Sequence, residues 1–122
     1  MFSLGDSMRY WLWSEPTDMR KSFHTLSGLV RDSMHRDPLD GDVYVFINRH
    51  RYRIKLLYWE PGGMVLYSKI LEQVTLGLPE TFEADGSLAW RDLVALVEGM
   101  MTQGSSRRKR LDELRFKSGK AN

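Results

Sequence analysis

Two hydrophobic periods alternate along the chain, one of two residues and one of three to four, and they divide it into strands and helices. Met8 to Trp13 (MRYWLW) is aromatic and alternating, which predicts a strand. Glu15-Pro16-Thr17-Asp18 interrupts it. Met19, Phe23, Leu26, Val30 and Met34 then share one face of a helix, with Thr17 or Asp18 as its N-cap. Arg20, Lys21 and Arg31 fall off that face. Asp37-Pro38 stops the helix, because the residue before proline avoids helical geometry. Three β-branched and aromatic runs follow: Val43 to Ile47 (VYVFI), Tyr52 to Trp59 (YRIKLLYW) and Met64 to Leu71 (MVLYSKIL). Asn48 to Arg51 reads as the tip of the first hairpin, and Pro61-Gly62-Gly63 as the turn of the second. Val74 to Leu78 adds a short strand before Pro79. Ser87 then offers an N-cap to a second helix, with Trp90, Leu93, Val97 and Met100 on its apolar face. The predicted fold is α+β: a mostly antiparallel sheet, a meander, packed by helices near Asp18 to Met34 and Leu88 to Met101. No internal repeat is present.

Composition adds a boundary and a charge asymmetry. The length of 122 residues suits one domain, and 42% apolar content suffices for a core. Gly104-Ser105-Ser106 reads as a hinge, so we expect a single domain over 1–102 and a basic tail over 103–122, with the composition of a flexible arm. The tail holds seven basic residues against two acids, net +5, and leaves the body at −3 out of a total of +2. That split favours an anionic partner for Arg107, Arg108, Lys109 and Arg110, although a solvated terminus would carry the same charges. No run approaches the roughly 18 apolar residues of a membrane helix. Met1 to Asp6 lacks the basic-then-apolar pattern of a secretory signal. Cysteine is absent, which excludes disulfides and thiolate metal sites and suits a reducing cytosol.

Candidate catalytic chemistry is sparse. His24, His35 and His50 lack the paired spacing of a helical zinc site. There is no phosphate-cradling glycine loop and no nucleophile elbow. Asp37, Asp40 and Asp42 are the only acidic cluster. Clustered carboxylates hold the cations of metal-dependent nucleases, but beside Pro38 and Gly41 these aspartates fit a turn better. We therefore expect no cofactor, no metal and no catalysis. The first hairpin is more informative. Arg49, His50, Arg51, Arg53 and Lys55 carry four formal positive charges with no acid between them. Alternation puts Arg53 and Lys55 on one face with Leu57 and Trp59. A basic hairpin tip can lie along a phosphate backbone, with Tyr52 placed to stack on an unpaired base. The competing reading is a charged turn that merely resists aggregation. Tyr58, Trp59 and Tyr67 read as core or half-buried sheet residues.

Several ordered blocks resemble a known family. Thr17-Asp18-Met19-Arg20-Lys21-Ser22-Phe23, continued by Leu26 and Leu29-Val30, resembles its TDMRK block. Asp37-Pro38-Leu39 with Gly41-Asp42-Val43-Tyr44-Val45-Phe46 resembles DPF…G..FVF, and Asn48-Arg49-His50-Arg51 its basic turn. Ile54-Lys55-Leu56-Leu57-Tyr58-Trp59-Glu60, then Gly63, resembles IKVLWWD..G, and Lys69-Ile70-Leu71-Glu72 resembles KRLE. The family is that of the small TnpB proteins of insertion sequence 66 transposons, unrelated to the longer RNA-guided nuclease of the same name. The resemblance spans roughly Gly5 to Met101 and leaves the tail after Thr102 outside. His24 stands where the family often has an acid, Ile70 replaces a frequent basic residue, and Leu76-Gly77-Leu78-Pro79 is a loose version of the family's ending.

The resemblance implies an accessory role in transposition, beside a separately encoded transposase that cuts and joins strands. It leaves the mode of action open. The basic positions point to DNA contact through Arg20, Lys21, Arg49, Arg51, Arg53, Lys55 and the tail cations, with DNA and the element's transposase as partners in the bacterial cytoplasm and no membrane. Two alternatives remain: an adaptor that touches transposase and no DNA, and a metal-dependent nuclease using Asp37, Asp40 and Asp42.

Overall fold

A computed structural model describes residues 4–71 and 85–98. The elements in chain order are β1 (Tyr10–Leu12), α1 (Phe23–Asp32), β2 (Val43–Ile47), β3 (Arg53–Glu60), β4 (Gly63–Ile70), β5 (Ser87–Leu88) and α2 (Trp90–Val97). The five strands form one sheet in the order β4-β3-β2-β1-β5. β2, β3 and β4 are the antiparallel meander the sequence predicts. β1 departs from it. The strand pairs parallel to β2, because the long connection carrying α1 returns the chain in the same direction. β5 closes the far edge antiparallel to β1.

Strand alternation builds two cores. Tyr10, Leu12, Val43, Val45, Ile47, Ile54, Leu56 and Tyr58 face α2, where Leu93 and Leu96 cover them. Trp11, Tyr44, Phe46 and Leu57 face α1, under Leu26 and Val30, with Met19 beside them. β2 is buried along its whole length for that reason, and its sequence is continuously apolar rather than alternating. Tyr10 also stacks on Trp90, ring centroids 5.5 Å apart.

Both helices begin later than their sequence signals suggest. α1 starts at Phe23 with Ser22 as N-cap and no side-chain cap bond, so Thr17 and Asp18 do not cap it. Asp18 instead accepts the Arg20 backbone N–H, and residues 18–21 form a turn. His35, in the left-handed region at φ 56°, follows the helix end and precedes Asp37-Pro38. Ser87 does not cap α2 either. Its backbone belongs to the sheet opposite Trp11, and Ala89 is the N-cap. Gly86 makes that approach possible: its carbonyl accepts the Leu12 N–H at 2.8 Å, and its φ of 92° suits glycine. The predicted strand at Val74 to Leu78, Met100 on the second helix, and the tail lie outside the described residues.

Candidate nucleic-acid interface

Asn48 organises the β2–β3 tip. Its side-chain oxygen accepts the backbone N–H groups of Tyr52 and Arg53 at 3.0 and 2.9 Å. Its carbonyl accepts the Arg51 N–H at 3.0 Å. Arg51 holds the left-handed conformation that closes the loop, φ 58°. Sequence reasoning placed the tip correctly but gave Asn48 no role, although asparagine before a tight turn is a signal of such bonding. Arg49 and His50 are exposed and Arg51 is half-buried. Tyr52 is 41% exposed.

The chain between β1 and α1 runs to the same end of the sheet. Trp13 donates to the Val45 carbonyl and Thr17 to that of Ile47, at 3.0 and 2.9 Å, so residues 13–17 lie beside β2. Glu15 and Pro16 thereby share a cleft of about 80 Å³ with Asn48, Arg49 and Arg51. Arg20 and Lys21 follow directly. Arg20 binds Asp18 through Nε and Nη2, at 2.6 Å for the closest approach, while its side chain stays 91% exposed. These bonds hold the Asp18 carboxyl well below the usual carboxylate range, the Arg20 side chain being the largest cause, and raise the Arg20 pKa in return.

Lys55 is the clearest departure from the sequence-based site. Its ammonium is buried and donates to the carbonyls of Met19 at 2.6 Å and Lys21 at 2.9 Å. Burial lowers its pKa, Arg53 lowers it further, and Asp18 partly offsets both. The residue is therefore a clamp that ties the 19–21 turn to β3, and it is not a surface contact. Arg53, two residues earlier on the same face, is half-buried, with its Nε enclosed and without a hydrogen-bond partner among the described residues. Among the described residues Arg49, Arg51 and Arg53 form no ion pair, in contrast to Arg9 and Arg20. Trp59 lies at the far end of β3 and is 37% exposed, more open than the half-buried role expected of it, whereas Tyr58 is core. Arg107, Arg108, Lys109 and Arg110 lie outside the described residues.

The aspartates do local work. Asp37 accepts the Leu39 N–H, and Asp40 accepts that of Asp42. Tyr44 donates its hydroxyl to Asp40 at 2.8 Å and to the Asp37 carbonyl at 3.2 Å. Burial, then the bond to Asp40, push the Tyr44 pKa far above its ordinary value. Asp42 is buried and accepts from Arg9 Nε at 3.2 Å and Trp11 Nε1 at 2.9 Å. Arg36 lies over the Trp11 ring, 3.2 Å from its centroid. No group of three acidic or histidine side chains suited to a metal occurs among the described residues. His24 is exposed and rests on Phe23.

Residues 8–107 match the family described as IS66 Orf2 like protein, TnpB of insertion sequence 66. The chain belongs to that family. The match runs past Thr102 to the first arginine of the basic run, further than the resembling blocks alone extend. Two relatives come from Sinorhizobium fredii. The uncharacterized protein y4jC is 28% identical over 93 residues, covering 76% of this chain and 80% of the relative. The uncharacterized protein y4hO is 32% identical over 73 residues, covering 60% of this chain and 64% of the relative. No solved structure matches the chain. The protein is thus associated with insertion sequence 66 transposons. No helix among its described residues is long and apolar enough to cross a membrane.

Proposed function

We propose that this insertion sequence 66 protein is a non-catalytic, DNA-contacting accessory factor that assists the separately encoded transposase of its element. The observation that carries the reading is the gathering of cations at one end of the sheet, of which Arg49, Arg51 and Arg53 form no ion pair among the described residues. Arg49 is exposed on a tip fixed by Asn48, Arg51 and Arg53 are half-buried beside it, Arg20 and Lys21 lie on the adjoining turn, and Tyr52 is exposed among them. A guanidinium fork matches phosphate geometry, and a rigid tip positions such contacts without reading sequence. The tail cations Arg107, Arg108, Lys109 and Arg110 add a run of positive charge to the contact. The carboxylates Asp37, Asp40 and Asp42 serve backbone, tyrosine, arginine and tryptophan partners, which speaks against the nuclease alternative.

An electrophoretic shift of labelled transposon-end duplex at moderate salt tests the proposal. The wild-type protein shifts the duplex, and the triple variant Arg49→Gln, Arg51→Gln, Arg53→Gln weakens the shift. Retention of transposase with no shift of any DNA would establish the adaptor role in its place.

A further inference from the structure

Among the described residues no strand covers the outer edge of β4, which is long. The bond from Leu71 N–H to the Tyr52 carbonyl, 2.7 Å, and the unbroken register from Glu60↔Gly63 to Arg53↔Ile70 determine which backbone groups face β3. They are those of Gly63, Val65, Tyr67, Lys69 and Leu71. The N–H and C=O groups of Met64, Leu66, Ser68 and Ile70 therefore point away from the sheet, and no described residue pairs with them. Sheet edges are ordinarily blunted by proline, bulges, charge or shortness. β5, at the opposite edge, has two residues. β4 has eight, without proline or bulge, and its one charged side chain is Lys69. Apolar groups are left uncovered at both ends of the α1 face of the β3–β4 pair, with Ile70 62% exposed at one end and Trp59 37% exposed at the other.

We propose that β4 pairs antiparallel with β4 of a second copy about a two-fold axis at Tyr67, making one continuous ten-stranded sheet. Facing residues of an antiparallel pair share a face, so the axis passes through a residue and not between two. Centred on Tyr67, the register sets Ile70 opposite Met64 of the second copy and Ser68 opposite Leu66, and the outward N–H and C=O groups of all four become ladder bonds. Met64 neighbours Trp59 in the register. Each copy thus brings its exposed Ile70 to the apolar end of the other. Lys69 falls opposite Val65, so the two lysines do not face each other. Centring on Leu66 would set Ile70 opposite the turn residue Gly62 and leave it uncovered. The basic tips lie at the Ile70 end of β4, and antiparallel pairing sends them to opposite ends of the joined sheet. If the DNA reading above holds, on which this consequence alone rests, a dimer bridges two DNA segments.

Sedimentation of the full chain across the micromolar range tests the pairing. Wild type sediments as a dimer. Ser68→Pro removes an outward donor from an exposed residue without touching the β3 ladder, and Ile70→Lys replaces the covering side chain. Both shift the protein to monomer while its circular dichroism persists. Tyr67→Cys supplies the only thiol in a cysteine-free chain. At a non-hydrogen-bonded pair the facing Cα atoms lie about 4.5 Å apart, within disulfide reach, so mild oxidation links the copies covalently. If Ser68→Pro fails to fold, the Tyr67→Cys cross-link decides. A monomeric wild type, a dimer indifferent to both edge variants, or no cross-link at Tyr67→Cys overturns the proposal. Wild type also brings two differently labelled duplexes together, and Ile70→Lys binds each duplex without joining them. A dimer that binds no DNA would leave the β4 pairing standing and overturn the DNA reading.

Discussion

Lys55 shows how far a single residue's role follows from its place in a strand. Alternation puts it on the α1 face, but the chain that covers that face comes from Met19 to Lys21, more than thirty positions earlier, and local pattern carries no record of it. Replacing Lys55 with Met leaves two carbonyls without their donor and should cost about 2 kcal/mol in denaturant unfolding, as expected for charge-assisted bonds. DNA affinity should fall little in that variant, provided it is measured well below its melting temperature. Because the folded pKa lies below the unfolded value, the unfolded chain binds more protons between the two, and this group's contribution to stability rises with pH across that window. Tyr44 behaves in the opposite sense. Its raised pKa keeps the phenol protonated after the unfolded chain has begun to ionise, so stability falls as pH rises above about 10. Tyr44→Phe should cost about 1 kcal/mol in thermal or chemical melts and reduce that alkaline decline, leaving the share of Tyr10, whose pKa burial also raises. The roles of Asp37 and Asp40 were legible in sequence, since both bond backbone two residues away. Asp42 was not, because its partners, Trp11 in β1 and Arg9 just before it, lie more than thirty positions earlier.

At the scale of elements, the strands were easier to read than the helix starts. β2, β3 and β4 lie within a residue or so of their apolar runs, since short connections leave few alternatives to a meander. The parallel entry of β1 follows from the helix between it and β2, since such a crossover joins parallel strands, and the meander of β2 to β4 drew the sequence reading away from it. Capping signals misled where polar side chains had other employment: Asp18 on Arg20, Ser87 in the β5 ladder. The hairpin tip offers a clean separation of structure from contact. Asn48→Ala removes two backbone bonds and should destabilise the protein by about 1–2 kcal/mol, with faster hydrogen exchange at Tyr52 and Arg53. Arg51→Gly should do the reverse. Glycine adopts φ near +58° without strain, so stability should hold or rise by up to about 1 kcal/mol while one phosphate contact is lost. Calorimetry beside DNA titration separates these outcomes. A marked loss of stability in Arg51→Gly would show that the arginine side chain itself holds the tip.

For the whole molecule, the proposed DNA contact rests on charge distribution more than on fold. A body of net −3 repels DNA at long range, and a tail of +5 reverses this, while the tip offers a local patch of fixed geometry. Lys55 has left the list of available cations, and Arg20 is shared with Asp18, so the patch is smaller than the sequence suggests. The tail should accordingly contribute more than the tip to affinity, and the tip more to the orientation of bound DNA. The decisive measurement is fluorescence anisotropy of a labelled transposon-end duplex across a salt series, on wild type, on a truncation after Thr102 and on the Arg49, Arg51, Arg53 triple variant. With about four phosphates neutralised, log affinity should fall against log salt with a slope near −4, by counterion release of about 0.9 per contact. Truncation should flatten the slope by about two units or more, and the triple variant should flatten it less. Absence of binding by wild type, or a slope that neither variant changes, would contradict DNA contact through these residues.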